Sequence, residues 1–190
     1  MRIWVPILAL GMLAIAGLSA PAQAQSASVT YHLYHFESGN WVEYGPNATL
    51  PAGGDQPGTN LWRYVYELCN IGFSTGLREL NMFFNSDNVL CATFAASTQP
   101  ASWSSPIVGP IAPDNNWRIR YRTLVTAARV AQGTCNDQFT VDFTWICPTL
   151  PGAQNFDAIA GSGSYSGQSI SGSPVPVEPS TWGRMKGLYR

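Results

Sequence analysis

Leu61-Trp-Arg-Tyr-Val-Tyr-Glu-Leu-Cys-Asn70 alternates Trp62, Tyr64, Tyr66 and Leu68 with Arg63, Val65, Glu67 and Cys69. A period of two is the signature of a β-strand with one face buried and one face turned outward. Asn70-Ile71-Gly72 ends the run with turn chemistry. The same period recurs on both sides of it. Upstream, Val29, Tyr31, Leu33 and His35 share one face, and Thr30, His32, Tyr34 and Phe36 the other. Both faces carry apolar groups, so this strand is expected to be covered on each side. Downstream, Leu80, Met82 and Phe84 form a face, with a helical turn over 77–81 as the competing reading. Val89 to Phe94 alternates again after an Asn85-Ser86-Asp87-Asn88 turn. Ile119 and Tyr121 lie between Arg118, Arg120 and Arg122, and Phe139, Val141, Phe143 and Trp145 are opposed by Thr140, Asp142 and Thr144.

These runs are separated by Gly-, Pro- and Asn-rich turns over 47–60 and by a loop-like 99–113. About six to eight antiparallel strands joined in this way read as a single all-β sandwich domain. Aromatics at 12% and charged residues at 11% fit a chain that invests in a core rather than a charged surface; the usual charged share is roughly a quarter.

The first 24 residues differ in kind. Arg2 gives a positive start, 3–18 is apolar apart from Pro6, Gly11 and Gly17, and Ala22-Gln23-Ala24 is a small-x-small cleavage site. This is a secretory signal peptide by pattern, so the mature chain is expected to begin at Gln25 and to work outside the cytoplasm. Without Arg2 the ten Lys+Arg become nine, against eleven Asp+Glu, for a charge of about −2. That balance offers no basic field for nucleic acid. No apolar stretch long enough for a transmembrane span follows the signal.

Cys69, Cys91, Cys135 and Cys147 remain after processing. An even count in an exported chain points to two disulfides. No Cys-x-x-Cys pair exists and His32 and His35 are the only histidines, so no metal site is expected. Three connectivities are possible. A strand over 138–146 would hold Cys135 and Cys147 roughly 30 Å apart, whereas a disulfide needs Cα atoms within about 7 Å. Strands running up, down and up through 61–70, 77–85 and 88–95 separate Cys69 from Cys91 in the same way. If 138–146 descends from the end of the sheet where Cys69 lies, Cys135 meets Cys69 and Cys147 meets Cys91, so the pairs 69–135 and 91–147 are favoured over 69–147 with 91–135.

Two stretches resemble exported bacterial proteins of the PEP-CTERM type. Trp62-Arg-Tyr-Val-Tyr-Glu-Leu-Cys-Asn-Ile-Gly72 is similar to a strand and turn common in their sandwich domains. Phe139-Thr-Val-Asp-Phe-Thr-Trp-Ile146 with Leu150-Pro-Gly-Ala-Gln-Asn-Phe-Asp157 resembles a segment that precedes their sorting tail. Val175-Pro-Val-Glu-Pro-Ser-Thr-Trp182 is similar to their Val-Pro-Glu-Pro-Ser-Thr signature. The family continues with a membrane-spanning helix and a basic cluster, whereas here Gly183 to Arg190 follows. The resemblance implies an exported β-sandwich and a sorting signal of atypical form.

Four regions are therefore expected: a signal peptide over 1–24, the sandwich over 25–159, a Gly/Ser/Pro-rich linker over 160–179, with one last short strand near Tyr165 to Ile170 as the alternative inside it, and a short basic amphipathic tag over 180–190. On a helix, Trp182, Met185, Leu188 and Tyr189 would share one arc, and Arg184, Lys186 and Arg190 the other. Such a tag suits docking to sorting machinery or to the cell envelope; the opposing reading is a frayed terminus, since Gly183 and Gly187 disfavour a helix. Trp41, Trp103 and Trp117, at or near loops, are candidates for stacking on extracellular polysaccharide, while Trp62 and Trp145 sit in core registers. The Arg118, Arg120 and Arg122 row offers an acidic glycan a partner, but guarding of a sheet edge is the preferred reading.

His32 and His35 fall on opposite strand faces, which argues against a shared site. The carboxylates form no recognisable facing pair for a glycosidase, and the Asn/Asp clusters at 85–88 and 114–116 read as turns rather than calcium loops. The function expected is a non-catalytic surface or matrix protein, secreted or on the cell surface, without cofactor. A carbohydrate-binding module is the alternative, and a secreted hydrolase the least supported.

Overall fold

In a computed structural model of the chain, the structure describes residues 25–53, 60–84, 91–111 and 116–172. The expected signal peptide, the 85–88 turn and the 180–190 tag lie outside the described residues.

Two sheets face each other. The first runs β11 (Ile170–Ser171), β1 (Ala27–Glu37), β3 (Leu61–Asn70), β8 (Cys135–Trp145), β5 (Ala92–Thr98), with β2 (Asn40–Tyr44) also paired to β1. The second runs β10 (Ser164–Gln168), β9 (Asn155–Ala160), β4 (Leu77–Phe84), β7 (Asn116–Arg122), β6 (Ile107–Ile111). All pairings are antiparallel except β11 with β1.

Alternation decides which side of each strand meets the other sheet. Trp62, Tyr64, Tyr66 and Leu68 of β3 are fully buried, as are Phe139, Val141 and Phe143 of β8. From the facing sheet come Leu80, Met82 and Phe84 of β4, Ile119 and Tyr121 of β7, and Phe156 and Ala158 of β9. Rings meet across the gap: Phe84 lies 6.2 Å from Tyr64, and Tyr121 lies 5.1 Å from Phe139. Each such side chain contributes about 1.5–3 kcal/mol of burial. A buried phenol must keep a hydrogen bond. Tyr64 donates to the Gly152 carbonyl at 2.8 Å, Tyr66 to Gln154 Oε1 at 3.0 Å and Tyr121 to the Thr140 carbonyl at 2.8 Å.

Asn70 closes β3. Its amide nitrogen donates to the Phe73 and Val130 carbonyls, and its Oδ1 accepts from the Phe73 N–H. Cys69 pairs in register with Cys135, and the disulfides are Cys69–Cys135 and Cys91–Cys147, the pairs that strand direction favoured. No free cysteine remains.

The structure departs from the sequence reading in five places. Residues 77–81 belong to strand β4, not to a helical turn, because β7 and β9 both pair with it. The outer face of β1 is open: Phe36 is 40% exposed and Thr30, His32 and Tyr34 are half-buried. Strand β6 lies inside the stretch read as a loop over 99–113. Residues 160–172 of the expected linker are folded, since β9 reaches Ala160, β10 pairs with β9 and β11 pairs with β1, in keeping with the alternative of a short strand near 165–170. Among the described residues there are eleven strands against the expected six to eight, because β2, β6, β10 and β11 are short. Their backbones pair without an alternating pattern, so composition does not reveal them.

Candidate functional site

Outward-facing residues of the second sheet form a largely polar face in register across four strands. On β7, Arg118, Arg120 and Arg122 all point away from the core, because Ile119 and Tyr121 between them are fully buried. The neighbouring strand β4 sets Phe83 beside Arg118, Asn81 beside Arg120 and Glu79 beside Arg122. Beyond it, β9 sets Asp157 beside Asn81, and β10 sets Ser166 beside Asp157.

The charges on this face are unequal. Glu79, 8% exposed, takes Arg120 with Nε at 3.1 Å and Nη2 at 3.2 Å, and Arg122 with Nε at 3.7 Å. Asn81, 2% exposed, donates to Glu79 Oε1 at 3.1 Å and so holds the carboxylate in place. Among the described residues Arg118 has no ion pair. Asp157 accepts from the Ser166 hydroxyl at 2.5 Å. Edge guarding does not explain the arginines, since β7 is paired on both sides, by β4 and by β6. The backbone N–H groups of Arg120 and Arg122 donate to the Pro106 and Ser104 carbonyls.

The three tryptophans proposed for sugar stacking are not brought together. Trp103 is only 6% exposed; its indole N–H donates to the Ala128 carbonyl at 2.8 Å and its ring meets Phe139 at 5.0 Å. Its ring is therefore core and is not offered to a ligand. Trp117 lies on β7, half-buried, 5.8 Å from Phe94. With Ala92, Thr93, Phe94 and Ile107 it lines a cavity of about 240 Å³. Trp41 lies on β2, in the other sheet, beside Phe36 at 5.2 Å. The Arg63 guanidinium sits 4.2 Å from its ring and is held by Asp142, with Nε to Oδ1 at 2.6 Å and Nη2 to Oδ2 at 2.8 Å. Trp62 and Trp145 are core, as expected. The tail residues Trp182, Arg184, Met185, Lys186, Leu188, Tyr189 and Arg190 lie outside the described residues.

His32 and His35 separate as expected. His32 Nδ1 sits 2.7 Å from Glu43 Oε1 on the outer face. His35 is buried against the Trp62 ring at 4.4 Å, with Nδ1 2.9 Å from Glu37 Oε1. Tyr44 donates to the same Glu37 oxygen at 2.5 Å. That hydrogen bond first, and His35 second, hold the Glu37 carboxyl below its ordinary range. Burial first, and Glu37 second, push the Tyr44 phenol up to about 12. Glu67, Cys69 and Cys135 place potential ligand atoms within 4.8 Å of one another, but both sulfurs are spent in a disulfide and cannot bind a metal as thiolates.

The Glu79–Arg120–Arg122 arrangement was not legible from spacing alone. Glu79 and Arg122 become neighbours only once β4 and β7 pair. No protein-family model and no curated protein matches the chain. Its fold is similar to that of a cohesin module from a Clostridium perfringens family 33 glycoside hydrolase, at 10% identity and a TM-score of 0.37, over 58% of this chain and 84% of that one. It is also similar to the third cohesin of ScaC from Acetivibrio cellulolyticus, at 11% identity and a TM-score of 0.36, over 58% and 88%. A type I cohesin of ScaB from Pseudobacteroides cellulosolvens gives 10% and 0.34, over 62% and 86%. At these scores the likeness bears on neither partner nor activity.

Proposed function

We propose that this chain is a non-catalytic exported protein of the cell surface or extracellular matrix, displayed or sorted through its C-terminal tail. The observation that carries the reading is the cysteine pairing. All four cysteines are consumed in two disulfides that join segments far apart in sequence, which suits an oxidising compartment. The signal-peptide pattern over 1–24 and the amphipathic ending over 180–190 support the same reading.

Intact masses of the protein from washed cells and from medium, without reduction, test it. A chain beginning at Gln25, lighter by four hydrogens and either truncated near 180–190 or retained whole only on cells, is expected. A full-length tail free in the medium would remove the sorting role. A second reading, carbohydrate binding, keeps one of its three tryptophans with a specific setting: Trp41 shares the outer face of the first sheet with exposed Phe36 and the Arg63–Asp142 pair.

A further inference from the structure

We propose that the outer face of β7, β4 and β9 binds an acidic polysaccharide, whose negative groups lie along Arg118, Arg120 and Arg122. The proposal rests on the extracellular reading above and names the partner class for a surface of that protein. Its first support is concentration of charge. The described residues hold six basic side chains, Arg63, Arg78, Arg118, Arg120, Arg122 and Arg129, and three of them stand at alternate positions of one strand. The whole chain is meanwhile slightly acidic, at −1. Like charges in a row repel one another, so the arrangement costs stability unless something else compensates. Glu79 answers Arg120 and Arg122 only.

The second support is that β7 is an interior strand. Its backbone is satisfied on both sides, so the arginines have no aggregation edge to guard. Alternate residues on a strand are about 6.6 Å apart, so the row presents cationic groups over roughly 13 Å on a sheet surface. Guanidinium forks suit carboxylate and sulfate groups.

The third support is the company the arginines keep. Asn155 and Asp157 on β9 and Ser166 and Gln168 on β10 project from the same side of the sheet as Asn81. Amides, a carboxylate and a hydroxyl exchange hydrogen bonds with sugar hydroxyls. Glu79 and Asp157 would repel the dense phosphates of a nucleic acid. A polymer with negative groups more widely spaced than the phosphates of duplex DNA, and with many hydroxyls, fits this mixture.

Full-length mature protein should therefore be retarded in affinity electrophoresis by polygalacturonate, and not by neutral dextran of similar length. The retardation should weaken with added salt. Arg118→Gln with Arg122→Gln should weaken the apparent affinity at least about tenfold, one charged contact or more, while Arg129→Gln, at the end of the sandwich, should not. Arg118→Gln alone disturbs no ion pair and keeps the test valid should the double variant misfold. Equal retardation by dextran, an equal loss in Arg129→Gln, or tighter binding to DNA or to anionic vesicles would overturn the proposal. Loss on Trp41→Ala with no loss in the arginine variants would overturn it in favour of the β2 aromatic patch. Retardation is read on purified protein, so it fails or succeeds separately from the mass measurement that tests export and sorting.

Discussion

Glu37 accepts from Tyr44 and lies beside His35 at one end of the first sheet, which ties three titratable groups to one carboxyl oxygen. A carboxyl held lower in the folded than in the unfolded chain contributes stability above its ordinary value of 4.5. That contribution is lost as pH falls through the folded value. Tyr44 works in the opposite sense: raised to about 12 from 10.0, it contributes stability below 10.0 that is lost as pH rises toward 12. Tyr64, Tyr66 and Tyr121, all pushed well above 10.0 by burial, add to the same alkaline loss. Glu37→Gln should melt a few degrees below the parent near neutral pH, and the gap should close below 4.5. The effect is small because the side chain is 35% exposed. A gap that stays constant from about pH 7 to about pH 3 in thermal melts would show that the carboxylate charge is not the stabilising element.

At the scale of elements, β10 and β11 carry the fold beyond Ala160. Tyr165 on β10 lies 6.1 Å from Phe156, whose ring is buried, and the Gly172 N–H donates to the Tyr31 carbonyl at 2.8 Å. Ser169 ties the two strands to the core by donating its N–H to the Gln154 carbonyl and accepting from the Gln154 N–H. A chain ending after residue 172 should melt with the full-length protein. One ending after Ala160 should lose on the order of 2–5 kcal/mol in denaturant unfolding, from lost ladder bonds and uncovered Phe156. Equal stability of the two would restore the linker reading of 160–172.

That stretch was legible only as a short-strand alternative near 165–170, for a physical reason. Strand pairing uses the backbone, and Ser164-Tyr-Ser-Gly-Gln168 offers composition typical of a flexible segment. Strand β6 escaped notice likewise, because Gly109 and Pro110 break any alternation. Its absence from the sequence reading made β7 look like an edge. By contrast β3 and β8 were plain, since every second residue is a large apolar group. Trp103 was misjudged because Pro- and Ser-rich neighbours say nothing of the Ala128 carbonyl that its indole reaches across 25 positions.

On the scale of the whole molecule, the two disulfide pairs could be read from the sequence because strand length and direction constrain them geometrically. The polar face could not. The three arginines were visible as a row, but whether the row guards an edge or lies within a sheet depends on β6 and on the β4–β7 register. Among the described residues no helix is long and apolar enough to cross a membrane.

The overlapping bridges also limit how far the domain can be stretched. Under tension applied at residues 25 and 172, force arriving at Cys69 crosses directly to Cys135, so the 66-position interval between them carries none of the extension. Only the two flanking segments can pay out. Reduction should release about 220 Å of additional contour, read as a longer final extension in single-molecule pulling. Because β11 is paired with β1 at only Thr30↔Ile170 and Tyr31↔Ser171, pulling at residue 172 should peel it away before the cross-linked centre is disturbed.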